Sequence, residues 1–258
     1  MKTLRFFLKS FMMTLSASMT FRFNFILRTI TLLSFDLVMP FVTLLIYMNT
    51  NGFPGWTFNQ ILLFQGIYLS INAIDRLFFQ SVDWSLSHEI RSGDFDRVLL
   101  YPVDVLANLS FNNLNVEHLV NLLIGLAIMG YASVKLNLTL SFFSVGFFLL
   151  YFIMALVLIF SLAMLRFSII IRLVRVGRIG ELFMNIRNYG EYPLDIYNPF
   201  ISGLLRYVIP LAVIAYLPAK SLLGYKPELI PILVVIIIFI LTRLLWKSTL
   251  KYYTSAGG

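Results

Sequence analysis

Apolar positions run almost unbroken from Leu229 to Thr242 and close on Arg243, Leu244, Leu245, Trp246 and Lys247. About twenty such residues satisfy their backbone only within their own helix and match a bilayer core about 30 Å thick. Comparable runs cover Phe25 to Tyr47, Ile61 to Phe79, Val105 to Tyr131 and Phe142 to Phe167. Each predicts a membrane-spanning helix. Residues 2–21 carry another pattern. Leu4, Phe7, Leu8, Phe11, Leu15 and Met19 recur at three- and four-residue steps, with Lys2, Arg5 and Lys9 on another face. That spacing predicts an amphipathic helix in the interface plane, the alternative being a frayed basic terminus.

The cations orient these elements. Arg22 and Arg28 flank the start of the first span, Arg166, Arg172, Arg175 and Arg178 cluster where the fourth ends, and Arg243, Lys247 and Lys251 close the last. Loops rich in Lys and Arg stay cytoplasmic, so both termini are expected inside and the number of crossings is even; six fits. The cation-free loop 49–55 and the short loop holding Lys135 fall outside, with Trp56 expected as an interfacial anchor. Residues 172–228 leave two arrangements of equal parity. In one, the apolar piece 200–223, broken by Arg206, Pro210, Pro218 and Lys220, is the fifth span and residues 179–197 form a cytoplasmic amphipathic helix. In the other, residues 176–197 cross and the proline-broken piece dips in from outside and returns. The fold class is thus an all-α integral membrane protein, read as one transmembrane domain over 1–258.

Composition narrows the function. Of 258 residues 59% are hydrophobic and 12% charged, and the mean hydropathy is +0.87. A soluble domain is about one quarter charged. The net charge of +8 suits loops beside anionic lipid. No basic run interleaves with aromatics in a soluble segment, so nucleic acid is not an expected partner. Absence of cysteine excludes disulfides, thiolate metal sites and a cysteine nucleophile. The first apolar run lacks a small-residue cleavage site and is not expected to be a removable signal.

Few polar groups remain to carry chemistry. The stretch from Glu89 to Pro102 reads as a short cytoplasmic helix. Ser92 or Asp94 caps it, Pro102 stops it, and it shows Phe95 and charges to a soluble partner; the alternative is an ordinary capped turn. Asp75 and Arg76 lie in the inner half of the second span, with Asn72 and Gln80 a turn away. Either they are functional, or Arg76 snorkels to the interface while Asp75 pairs with a neighbouring helix. In the third span, Asn113, Glu117 and Asn121 repeat every four residues, and Asn108, Asn112 and Asn115 lie roughly opposite. They line a path or subunit interface, or act as interhelical hydrogen-bond glue. His118 and His88 lack ligand spacing, so no metal site is expected. Arg187 and Glu191 lie four apart and can pair.

Glu89-Ile90-Arg91-Ser92-Gly93-Asp94-Phe95-Asp96-Arg97-Val98-Leu99-Leu100-Tyr101-Pro102 is followed in order by Glu191-Tyr192-Pro193-Leu194-Asp195-Ile196-Tyr197, Val208-Ile209-Pro210, Leu217-Pro218-Ala219 and Leu222-Leu223-Gly224. Together these pieces resemble the ABC-2 type permeases, and more narrowly their bacterial subunits of about 260 residues. The resemblance covers nearly the whole chain. It implies six spans, an N-terminal interfacial helix and a cytoplasmic coupling helix between spans two and three. It also implies export driven by separate ABC ATPase subunits, a second permease subunit (identical or not), and a bacterial inner membrane. Carried over by position, Glu89, Arg91, Gly93, Phe95, Asp96, Leu99 and Pro102 form the coupling element, while Pro210 and Pro218 break a re-entrant hairpin. Asn113, Glu117 and Asn121 then join Pro210 and Pro218 as candidates for the translocation path or subunit interface. Glu181, Arg187 and Glu191 depart from this picture, being costly in a span.

No Gly-x-x-x-x-Gly-Lys-Ser/Thr occurs, so ATP and Mg are expected on the partner ATPase and no cofactor on this chain. The expected activity is transport of an amphipathic, lipid-like or peptide substrate, with no catalytic residue. One rival is a membrane-embedded lipid enzyme using Glu117 and His118 as acid–base groups. Another is a scaffold or immunity protein that sequesters a toxic peptide.

Overall fold

The computed structural model describes residues 2–139, 141–173 and 177–254; the side chains of 2–4 and 177–179, hence those of Lys2, Leu4 and Arg178, lie outside this description, as does Arg175. Thirteen α-helices and three short 3-10 turns are described, and no strand among the described residues. Five helical stretches are long and apolar enough to cross a membrane: Arg22–Asn49, Phe58–Ser92, His118–Lys135, Phe142–Leu173 and Ile230–Lys251.

The N-terminal helix α1 (Lys2–Thr20) packs on the eight-residue α7 (Val105–Asn112), with Phe7 and Phe111 ring centroids 4.9 Å apart and Ser10 Oγ 3.3 Å from Asn112 Oδ1. Its apolar stripe therefore meets protein: Phe7, Phe11 and Leu15 cover Leu77, Leu114 and Val116. The first span is two helices, α2 (Arg22–Asp36) and α3 (Val38–Asn49), parted at Leu37. Pro40 explains the break, since it has no N–H to offer the carbonyl four residues back, at Asp36.

The helix α4 (Phe58–Phe79) starts with a Thr57–Gln60 capping box and runs through the middle of the protein. Helical dihedrals continue through Gln80 and Ser81 into α5 (Val82–Ser92), which ends on Gly93 at φ +79°. Only glycine adopts that left-handed angle without strain. The five-residue α6 (Phe95–Leu99) follows, then Asp104, whose Oδ1 accepts from the backbone of Leu106 and Ala107 to start α7. The expected single helix over 89–102 is thus two helices hinged at Gly93. Neither Ser92 nor Asp94 caps α6, because Ser92 Oγ donates to Asp94 Oδ2 (2.7 Å) instead.

The third span also breaks. Residues 113–117 leave the helical path between α7 and α8 (His118–Lys135). The freed groups clasp the inner end of α4: Asn115 N donates to Leu77 O, its Nδ2 to Arg76 O, and its Oδ1 accepts from Ser81 Oγ. From that clasp α8 runs antiparallel to α4, with Gly66 and Gly125 at the contact. A Cβ on Gly66 would stand 2.6 Å from Met129 N, and one on Gly125 2.8 Å from Ser70 N. Two backbones approach this closely only through small residues.

The longest helix, α9 (Phe142–Leu173), packs against α13 (Ile230–Lys251), α5 and α12 (Tyr216–Leu222). The difficult stretch before α13 resolves along α4 as a ruler. The helix α10 (Gly177–Asn188) brings Arg187 to Asp75, the next turn brings Glu191 to Tyr68, and Asp195 reaches Trp56 just ahead of α4. Residues 177–195 thus climb the length of α4. The chain then dips through α11 (Pro199–Tyr207), turns at the buried segment Leu211–Val213, and returns along α12. This is the second of the two expected arrangements.

Candidate functional site

Polar side chains line the faces of α4 not taken by apolar packing. At its start, Trp56 is 5% exposed rather than set in lipid, and its Nε1 donates to Asp195 Oδ2 at 2.6 Å. Asp195 Oδ1 accepts from Tyr216 OH (2.9 Å), and Lys220 Nζ lies 3.6 Å from Asp195 Oδ2 and 4.7 Å from the Trp56 ring centroid. Nearby, Arg206 pairs with Glu228 at 2.9 Å, whose backbone carbonyl accepts from Tyr151 OH. Burial, with Tyr192, Tyr189 and Glu191 adding to it, pushes the Tyr197 phenol up to about 12. Its hydroxyl donates to Tyr189 O at 2.9 Å.

Deeper in, the pairing differs from what spacing suggests. Arg76 does not snorkel; it pairs with Asp36, whose other oxygen accepts from Asn121 Nδ2. Asp75 pairs with Arg187, so Arg187 is not the partner of Glu191, which accepts from Tyr68 OH at 3.3 Å. Three helices separated by long stretches of sequence thus meet through charges that an isolated span would not tolerate. Each acid or base costs about 3 kcal/mol at mid-bilayer on insertion scales, and pairing is what makes the crossings tolerable. A cleft of roughly 280 Å³ opens beside these pairs, lined by Asp75, Arg76, Gln80, Asp83, Arg166 and Arg187.

The residues of the third span part company at the break. Asn113 donates to Leu109 O, Glu117 pairs with Arg28 at 3.4 Å, and Asn121 meets Asp36. The expected four-residue stripe is therefore not one helical face. On the other side, Asn108 Oδ1 accepts from Asn112 Nδ2, and Asn115 forms the clasp. Glu117 and His118 also answer to different partners, since His118 Nε2 lies 2.9 Å from Gln80 Oε1. That leaves no acid–base pair. Pro210 and Pro218 are buried in the hairpin, between α4 and α9.

The elbow α5–α6 carries the candidate coupling residues. Phe95 is fully buried and meets Tyr253 edge-on at 5.0 Å, so it anchors the elbow to the chain after α13 and is not presented outward. Asp83 pairs with Arg166 of α9 at 3.1 Å. Glu89 accepts from Ser85 Oγ, Arg91 Nε donates to Ser87 O, and Asp96 and Leu99 are half-buried. What faces outward is Trp84 (69% exposed), His88, Arg91, Arg97, Leu100 (84%), Tyr101 and Pro102.

Sequence reasoning missed Asp36, a lone acid inside the first apolar run. Its signal was there: an acid four residues before a proline inside a span. A comparison with curated proteins gives no match. A protein-family profile described as ABC-2 family transporter protein matches residues 33–257, and with five apolar helices of spanning length the chain belongs to that family as a multi-pass permease component of an ABC transporter.

Proposed function

We propose that this chain is the membrane half of an ATP-driven exporter in a bacterial inner membrane, with both termini cytoplasmic. Separate ATPase subunits hold ATP and Mg, and a second permease copy, identical or not, completes the path for an amphipathic cargo. The observation that supports this reading is the elbow. It stands beyond α4, yet is bound to α9 through Asp83–Arg166 and to the chain after α13 through Phe95–Tyr253. Force applied at Leu100 or Tyr101 reaches three crossing helices at once. Closure of the ATPase pair would push the elbow, and the ion-paired side of α4 would give way. Affinity purification of the tagged chain in a mild detergent tests the reading: an ABC ATPase accompanies it, and Leu100→Asp with Tyr101→Ala removes that ATPase while the permease stays folded. A purified assembly lacking any ATPase would sink the reading.

A further inference from the structure

The side chains around the cavity at the α2–α3 break carry more acceptors than their own donors fill. It measures roughly 160 Å³ and is lined on its polar side by Asp36, Gln65, Tyr68, Asn72, Arg76 and Glu191. Gln65 and Asn72 are 5% and 4% exposed, yet Gln65 Oε1 and Asn72 Oδ1 have no hydrogen-bond partner. The Gln65 amide is not reversed, because its Nε2 donates to Thr43 Oγ1 and to Met39 O, and a carbonyl only accepts. The charges are also unequal. Asp36 is matched by Arg76, and Asp75 by Arg187 next door, while Glu191 makes no ion pair among the described residues and has a phenol at 3.3 Å. Two side chains that each carry an unpartnered buried oxygen, and one carboxylate with no ion pair among the described residues, therefore line one small space. Buried acceptors of this kind are costly until a donor fills them.

Water would fill the oxygens and leave the charge. A quaternary ammonium would match the charge but offers no N–H. A primary ammonium supplies both, with one positive charge and three donors. The volume is enough for several waters, and so for such a head group. Phe35, on the rim, is 72% exposed, which leaves an apolar exit toward lipid. We propose that this cavity binds the primary ammonium group of an amphiphile whose chain leaves past Phe35. Its role as a cargo subsite rests on the export reading; the binding does not.

The test is native mass spectrometry of the purified full-length chain in an uncharged detergent, titrated separately with dodecylamine, dodecyltrimethylammonium and 1-dodecanol. Dodecylamine should occupy one site per chain at least tenfold more tightly than the other two. Glu191→Gln should lose at least tenfold and Asn72→Leu several-fold, each with unchanged thermal unfolding. Equal binding of the three probes, or a Glu191→Gln chain that still takes the amine normally, overturns the proposal; if Glu191→Gln does not fold, Asn72→Leu decides. In nanodiscs, phosphatidylethanolamine that displaces dodecylamine where phosphatidylcholine does not identifies the occupant as a bilayer lipid. No displacement excludes that lipid as the occupant, and the site stands either way. An assembly that retains its ATPase but takes no amine removes this subsite and leaves the export reading intact; amine binding without an ATPase does the reverse.

Discussion

Two flanks of α4 are built on opposite principles. Toward α8 the backbones touch through Gly66 and Gly125, with no space for a methyl group. Toward α10 and the turn after it the contact is made by Asp75–Arg187 and Tyr68–Glu191, beside a cleft of roughly 280 Å³. Close-packed surfaces are stiff, because any displacement costs many small contacts at once. A surface held by a few charged groups beside a cleft has fewer contacts to give up, and the cleft lets water stand in for a lost partner. That contrast predicts an α4–α8 pair that stays rigid, with α10 and the hairpin as the side that moves against it.

The largest expected effect tests the rigid flank. Leucine at Gly66 or Gly125 must displace backbone atoms, and the loss should be about 3 kcal/mol or more in thermal unfolding, beyond ordinary overpacking. A small loss would mean the two helices are not locked together. Next comes the polar flank. Asp75→Leu strands Arg187 and should cost roughly 2 kcal/mol, less than in a dry core because the cleft admits water. The double variant Asp75→Leu with Arg187→Leu should regain at least half of it, and no recovery would refute the pairing.

A third test separates stiffness from movement without relying on stability. The chain has no cysteine, so engineered pairs react cleanly. A short thiol crosslinker between positions 75 and 187 should abolish ATP-driven transport, whereas one between 80 and 118, where the end of α4 meets α8, should leave it near normal. The reverse pattern would exchange the roles of the two flanks. The smallest effect concerns the elbow surface: Tyr101→Ala should change unfolding by no more than about 0.5 kcal/mol while weakening ATPase capture. Phe95→Ala, in contrast, should unfold the elbow at a cost of about 3 kcal/mol.

Much of the fold was legible because a bilayer imposes length. The run 229–247 becomes α13, residues 2–21 become α1, and the span over 25–47 falls inside Arg22–Asn49. The site was less legible. Periodicity assumes an unbroken helix, so Asn113, Glu117 and Asn121, and opposite them Asn108, Asn112 and Asn115, read as two stripes unless Leu77 and Ser81 are known to wait for Asn115. The ion pairs join positions 40 and 112 residues apart, so spacing favours Arg187 with Glu191, a local choice that tertiary packing overrides. Phe95 looked presented because its neighbours are charged; only Tyr253, at the far end of the chain, shows that it is covered.

The near-continuity of α4 and α5 has a mechanical corollary. The Asn115 clasp grips this rod between Leu77 and Ser81. At 1.5 Å per residue it leaves an arm of about 17 Å to Ser92 and one of about 29 Å to Phe58. Were the clasp to act as a fulcrum, a sideways stroke at the short arm would arrive at the opposite rim magnified nearly twofold, with correspondingly less thrust. Such gearing favours a wide, weakly driven aperture over a narrow, forceful one.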